Sequence, residues 1–293
     1  MIGDNAFIGV SHLSQSHARD TLWKLDEEVI VDVIRNAISS GASGFAFSTQ
    51  ATNIKILRSL ESLRTVRQDF ELWPLLPYAE GYVRLANEKG MIGLVREVMS
   101  RLPLSGKVRS LAKGAMSAMK LDPIHMLGAY VDMELESYLN VKPESLKLGA
   151  VMLHEVVTDL GISLQATRLF DSFIQHIRDN YACRPGFVTR NFARFVKFFR
   201  DERLSLKDVV IMTPFNKIGF QMNPSRESCE DALGHLKEGD VVAMSIMAGG
   251  YLGLDESIEY LKGLMNVSGV VVGVSSAEHA IQTFSRLGTL ITR

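Results

Sequence analysis

Cysteine is almost missing from this sequence: Cys183 and Cys229 are the only two in 293 residues. Two thiols so far apart exclude a disulfide framework and the close pairs of a zinc knuckle, and they fit free thiols in a reducing cytoplasm. An excess of either charge is missing too. Lysine and arginine total 32 against 33 aspartates and glutamates, a net charge of −1. The chain as a whole therefore attracts neither nucleic acid nor an acidic membrane surface, and any anion must be held by a local site. No apolar run approaches the roughly 18 residues of a spanning helix. Met1 to Leu13 carries Asp4 and His12 and has no basic stretch ahead of an apolar one, so a secretion signal is not expected. Low-complexity tracts are absent, and with 46% apolar residues a large core is expected instead of disorder.

What is present is a rhythm, clearest in residues 240–279. Val241 to Ile246 is apolar on both faces, as in a strand buried within a parallel sheet, and it runs into Ala248, Gly249 and Gly250. Asp255 precedes a helix with Ile258, Leu261, Leu264 and Met265 at helical spacing. Val270 to Val274 is the next strand, and Ser275 and Ser276 cap the helix behind it. A glycine-ended strand and a serine-capped helix turn free N–H groups and a positive dipole end towards whatever lies over the sheet, which favours an anion. An ordinary capped turn carries the same letters.

The unit recurs along the chain. Strand one is expected at Ala6 to Val10, ending in Ser11 and His12, with a helix over Glu27 to Ser40. Strand two spans Gly44 to Phe47, with a helix from Asn53 to Val66, and strand three spans Glu71 to Leu76, followed by Pro77 and Tyr78. Strand four is Gly149 to Leu153, ending in His154 and Glu155, and its helix is Ser163 to Asn180. Strand five, Pro185 to Val188, ends in Thr189, Arg190 and Asn191; strand six, Val209 to Met212, leads to Asn216 and Lys217, with a helix over Arg226 to Leu236. Eight such strands imply an α/β protein, a single (β/α)8 TIM-barrel domain over residues 1–293, with its site at the strand C-termini.

Between strands three and four, residues 84–147 exceed what a barrel unit needs and read as a helical insertion. Arg101, Lys107, Arg109, Lys113 and Lys120 lie there with no acidic residue from Ser100 to Leu121. Val108, Leu111, Ala112, Ala115, Met116 and Met119 fit an amphipathic helix. A packed helix with solvated lysines, a lid over an anionic substrate, and a membrane-surface or partner interface are the three readings.

The second half resembles the aldo-keto reductases. Met152-Leu153-His154 is similar to that family's strand-four segment with its substrate-binding histidine, and Gly186 to Asn191 to its "GVSN" segment. Asp208 to Asn216 resembles the strand-six "DVVQxxYN" segment, and Val242 to Leu252 the strand-seven "PLgxGxL" segment. Val271 to His279 resembles the segment that receives the cofactor's adenosine phosphate. The resemblance covers residues 149–287; the first half shares only the barrel rhythm. It implies NADPH as a cofactor and a tetrad of aspartate, tyrosine, lysine and histidine. Only His154 matches the tetrad. Strand two ends in Ser48, Thr49 and Gln50, and strand three in Pro77 and Tyr78.

Candidate catalytic residues are therefore His154, His12, Glu155 and Tyr78. His12, His154 and Glu155 admit a metal reading, but the His-x-His pair of barrel metallohydrolases is lacking, and no metal is expected. A histidine acid or base steadied by a carboxylate, or a satisfied barrel histidine, are the other readings. Lys217 lies beyond its strand, outside the position of a Schiff-base lysine, so it is expected to contact an anion or solvent. Arg190, Asn191, Asn216, Lys217, Gly249, Gly250, Ser275 and Ser276 form the expected substrate- and phosphate-binding set. With most of the tetrad gone, the sequence favours non-redox acid/base chemistry, a lyase or isomerase step on a small phosphorylated or carboxylated metabolite. A divergent NADPH-dependent carbonyl reductase is the alternative, and a non-catalytic barrel binding a nucleotide or partner is the third reading. A homo-oligomer is compatible with all three.

Overall fold

The computed structural model describes residues 1–8, 26–60, 69–77, 123–144 and 146–288. His12, Tyr78 and residues 84–122, with the basic run and the amphipathic segment, lie outside these. Alternation along the strands sets the architecture. In β2 (Gly44–Ser48) Phe45 and Phe47 join the outer core while Ala46 joins a separate interior cluster. The same period of two places Trp73 of β3 (Glu71–Leu76), Ala150 and Met152 of β5 (Ala150–Leu153) and Val188 of β6 (Arg184–Val188) inside. Val210 and Met212 of β7 (Val210–Pro214) and Val242 of β8 (Asp240–Met244) complete the filling. All pairings are parallel, in the order β10-β1-β2-β3-β5-β6-β7-β8-β9. β9 (Val267–Val270) and β10 (Val272–Gly273) are one strand interrupted at Val271, so the sheet closes on itself. The short β4 (Lys147–Leu148) pairs with β3 just ahead of β5. The result is a (β/α)8 barrel whose interior is packed with side chains.

Helices sheathe it: α1 (Glu27–Ser39), α2 (Ala51–Leu60), α3 (Pro123–Leu139), α4 (Glu155–Ser163), α5 (Thr167–Asn180), α6 (Phe192–Asp201), α7 (Arg226–Gly234), α8 (Leu254–Lys262) and α9 (Ala277–Leu287). α3, at the end of the stretch expected to be an insertion, packs on β3 and α5 as a barrel helix does. Among the described residues no helix is long and apolar enough to cross a membrane.

Three sequence expectations shift. Strand one is β1, Ile2–Gly3, paired with Phe45 and Val272; residues 4–8 are turn. The apolar run after Phe7 drew the expectation too far along the chain. The helix expected over residues 163–180 begins later, as α5 at Thr167, and a further helix, α4, stands over residues 155–163, where none is expected; Gln165, with a left-handed φ of 52°, parts the two. Strand seven stops at Met244 because Ser245 turns to φ 53°.

At the N-terminal end of the barrel the floor is polar but closed. Arg184 lies 5.3 Å over the Trp73 ring, pairs with Asp240 at 2.7 Å and approaches Glu71 at 3.9 Å. Trp73 Nε1 donates to Glu71 Oε2 at 2.9 Å. The Met1 amine is buried beside them in the sheet and donates to the Val270 carbonyl at 2.6 Å.

Candidate active site at the barrel mouth

The strand C-termini bring polar side chains to one rim in three groups. In the first, Asp4 follows β1 directly and is buried. Its Oδ2 accepts from Ser48 N–H at 2.8 Å, from Ser48 Oγ at 2.6 Å and from Asn53 Nδ2 at 2.8 Å. Burial pushes the Asp4 carboxyl above the usual range, against the pull of these hydrogen bonds. Gln50 Nε2 donates to Ser48 Oγ at 2.9 Å, and Thr49 Oγ1 donates to Glu134 Oε2 of α3 at 2.6 Å.

The second group stands on β5 and β6. His154 N–H continues the ladder by donating to the Leu76 carbonyl, and the side chain then caps α4, Nδ1 accepting from Val156 N–H at 3.3 Å. That bond fixes the tautomer of the neutral ring: Nδ1 is the acceptor and Nε2 carries the proton. The sequence reading set His154 and Glu155 on one strand with opposite faces; Glu155 is instead the first residue of α4. Its carboxylate pairs with the Arg190 guanidinium, both partly buried. Asp159 accepts from Thr189 Oγ1 and from Arg190 N–H, and Asn191 N–H donates to Thr189 Oγ1 at 2.9 Å, which locks the turn out of β6. Arg190 thus stands at the rim already paired.

The third group belongs to β7, β8 and β10. Asn216, fully buried, clamps its own loop: Nδ2 donates to the Phe220 carbonyl at 2.9 Å and Oδ1 accepts from Phe220 N–H at 2.7 Å. Lys217 is exposed and pairs with Glu256 at 2.6 Å. Gly249 and Gly250 lie in a 3-10 turn with φ of 71° and 103°, a conformation that suits glycine. Ser276 caps α9 by accepting from His279 N–H at 3.1 Å, while Ser275 is exposed. A Cβ added at the exposed Gly273 would meet nothing within 4 Å, so the backbone before this helix is open.

His154, Glu155, Arg190 and Asn191 come together, and Gly249, Gly250, Ser275 and Ser276 stand on the rim. Asn216 and Lys217 are engaged with their own loop and with α8. His12 and Tyr78 fall outside the described residues. The sequence reading missed Asp4, Asn53 and Glu134. An aspartate directly after β1 was a signal for the first; the 85-residue separation of Thr49 and Glu134 left none for the last. Among the described residues no three His, Cys, Asp or Glu side chains are grouped to hold a metal ion.

No protein-family model matches the sequence, and neither does any curated protein. Solved structures do match in fold. A Pseudomonas aeruginosa protein assigned to the aldo-keto reductases superposes with a TM-score of 0.59 at 12% identity, over 99% of this chain and 90% of that one. The aldo-keto reductase AKR11C1 of Bacillus halodurans gives 0.54 at 11% identity, over 92% and 83%. An aldo-keto reductase from a deep-sea metagenome library gives 0.51 at 8%, over 88% and 80%. The chain has the barrel fold of these enzymes.

Proposed function

We propose that this protein is an NADPH-dependent carbonyl reductase, divergent in its proton-handling residues, that acts on a small phosphorylated or carboxylated carbonyl metabolite. The observation that carries the reading is His154: it stands at the end of β5, whose Met152-Leu153-His154 segment resembles the histidine-bearing strand segment of the aldo-keto reductases, and its Nδ1 accepts from Val156 N–H, which leaves the proton of the neutral ring on Nε2. Those enzymes are named as reductases, which favours the redox reading over the lyase or isomerase step that the sequence favours. Fold by itself does not choose a reaction, so the site must agree.

The residues present fit a dinucleotide's phosphates. The N-terminus of the eleven-residue α9, the exposed Ser275, the open backbone at Gly273 and the Gly249–Gly250 turn would hold them. When bound, NADPH supplies a hydride to the carbonyl carbon. His154 Nε2–H polarises the carbonyl and orients it, and Arg190, in the turn that follows the neighbouring strand β6, attracts the substrate's anionic group. Asn191 and the Glu155 carboxylate set the position of Arg190.

The test is titration with NADPH followed by nicotinamide fluorescence, with NADH as comparison and a carbonyl panel after it. Micromolar binding and NADPH oxidation are expected. No binding would reassign the rim to a substrate phosphate and return the reading to acid/base chemistry, pursued by thermal shift with phosphorylated metabolites.

A further inference from the structure

One buried acid at the rim has no part in the reading above. Asp4 is 6% exposed, and among the described residues no cation pairs with it; Oδ2 rests on three neutral donors. Burying a carboxylate against neutral dipoles is costly, and an asparagine carbonyl would serve the same donors without the charge. The cluster also leaves Asn53 Oδ1 without a donor, in a side chain with no exposed surface. A network kept for stability would satisfy that acceptor and dispense with the charge. Groups held at such expense concentrate where chemistry needs them.

Position indicates which chemistry. Ser48 follows Ala46 in the inward register of β2. It pairs with Leu75, and Leu75 with Met152, so Ser48 is level with Met152 and His154 is the next inward residue above it, two strands away. Strand geometry separates the two backbones by about 10 Å across the sheet and about 7 Å along it. Both positions belong to the inward register at the C-terminal end of the barrel, where a carbonyl substrate would enter.

We propose that Ser48 exchanges the proton with the substrate oxygen, and that Asp4 is a positioning residue that stores this proton by acting through Ser48; the inference rests on the reductase reading. In the alcohol-oxidising direction Ser48 Oγ passes its proton to Asp4 along the existing 2.6 Å bond and takes the hydroxyl proton of the alcohol. The alcohol carbon loses its hydrogen with both electrons as hydride, which the oxidised dinucleotide NADP+ would accept, and the C–O bond becomes C=O. In reduction the carbonyl carbon gains the hydride and the π pair moves onto oxygen. That oxygen takes the Ser48 proton, and the Asp4 carboxylic acid restores it to Ser48. Gln50, donating to Ser48 Oγ, steadies the oxygen through both transfers.

The test compares Asp4→Asn, Ser48→Ala and Tyr78→Phe with the wild type, reading NADPH affinity, kcat and KM separately, the solvent isotope effect, and thermal stability. Both rim variants are expected to hold NADPH within about twofold and to lose about 100-fold or more in kcat with KM little changed. The solvent isotope effect should rise in Asp4→Asn, a signature that a structural role would not give. Asp4→Asn should melt at or above the wild-type temperature. Retained turnover with a melting temperature lowered by several degrees would make Asp4 a structural staple and overturn the inference. So would loss of turnover in Tyr78→Phe with Ser48→Ala spared. If the wild type binds no NADPH, the reductase reading fails on its own account. Asp4→Asn stability then still decides whether Asp4 is held against stability: a rise supports that part and a fall overturns it.

Discussion

His154 does two jobs with its two ring nitrogens, and they can be separated. Nδ1 caps α4, a role that substitution by alanine should cost about 1 kcal/mol; on the proposed function Nε2 donates to the substrate, and loss of such a positioned donor costs about 10²-fold or more in rate. His154→Ala should therefore lose both stability and turnover, while His154→Asn recovers much of the melting temperature and none of the activity. Steady-state kinetics beside thermal melts check this. Arg190 offers a second test, because the Glu155 carboxylate competes with any substrate anion for the guanidinium. Glu155→Gln should increase the protection that inorganic phosphate gives in a thermal shift, by several-fold in apparent affinity. Single residues were only partly legible in the sequence. His154 and Ser276 declare themselves by standing between a strand and a helix. The pairing of Arg190 with Glu155 spans two strands and leaves no local trace, and Asp4 was hidden once strand one was set four residues too late.

At the level of elements, periodicity served where an element is long or its ends are capped. β3 carries the expected bounds, α1 begins at Glu27 after its Asp26 cap, and α9 begins behind Ser276. It failed where a helix follows its strand at once: α4 starts at Glu155 directly behind His154, where no helix is expected, and the left-handed Gln165 parts it from α5. The contact of β3 with the entry to β5 tests how elements fit. A Cβ added at Gly149 would lie 2.2 Å from Glu71 Oε2 and 2.5 Å from Trp73 Nε1. Gly149→Ala should cost about 1–3 kcal/mol by overpacking and by parting the two side chains. Chemical denaturation should show the loss as a lower midpoint with an unchanged slope.

For the whole molecule the barrel was the most legible feature, because eight buried strands at regular intervals admit few other arrangements. Among the groups that shape its response to pH, two are shifted by burial in opposite senses. Burial holds His279 of α9 below the ordinary histidine range, so the unfolded chain takes up this proton first. Its contribution is complete above pH 6.5, the ordinary value, and is lost as pH falls below it. His279→Leu should flatten that part of a melting-temperature profile. Asp4, held above the carboxylate range, works the other way: stability falls as pH rises from its ordinary value of 3.8 towards its folded one and is level beyond. The floor built by Trp73, Arg184, Glu71 and Asp240 has a consequence for kinetics. A barrel packed with side chains and stopped at one end has no through passage, so on the reductase reading dinucleotide and substrate would share one rim, and product inhibition patterns would show whether they bind in a fixed order.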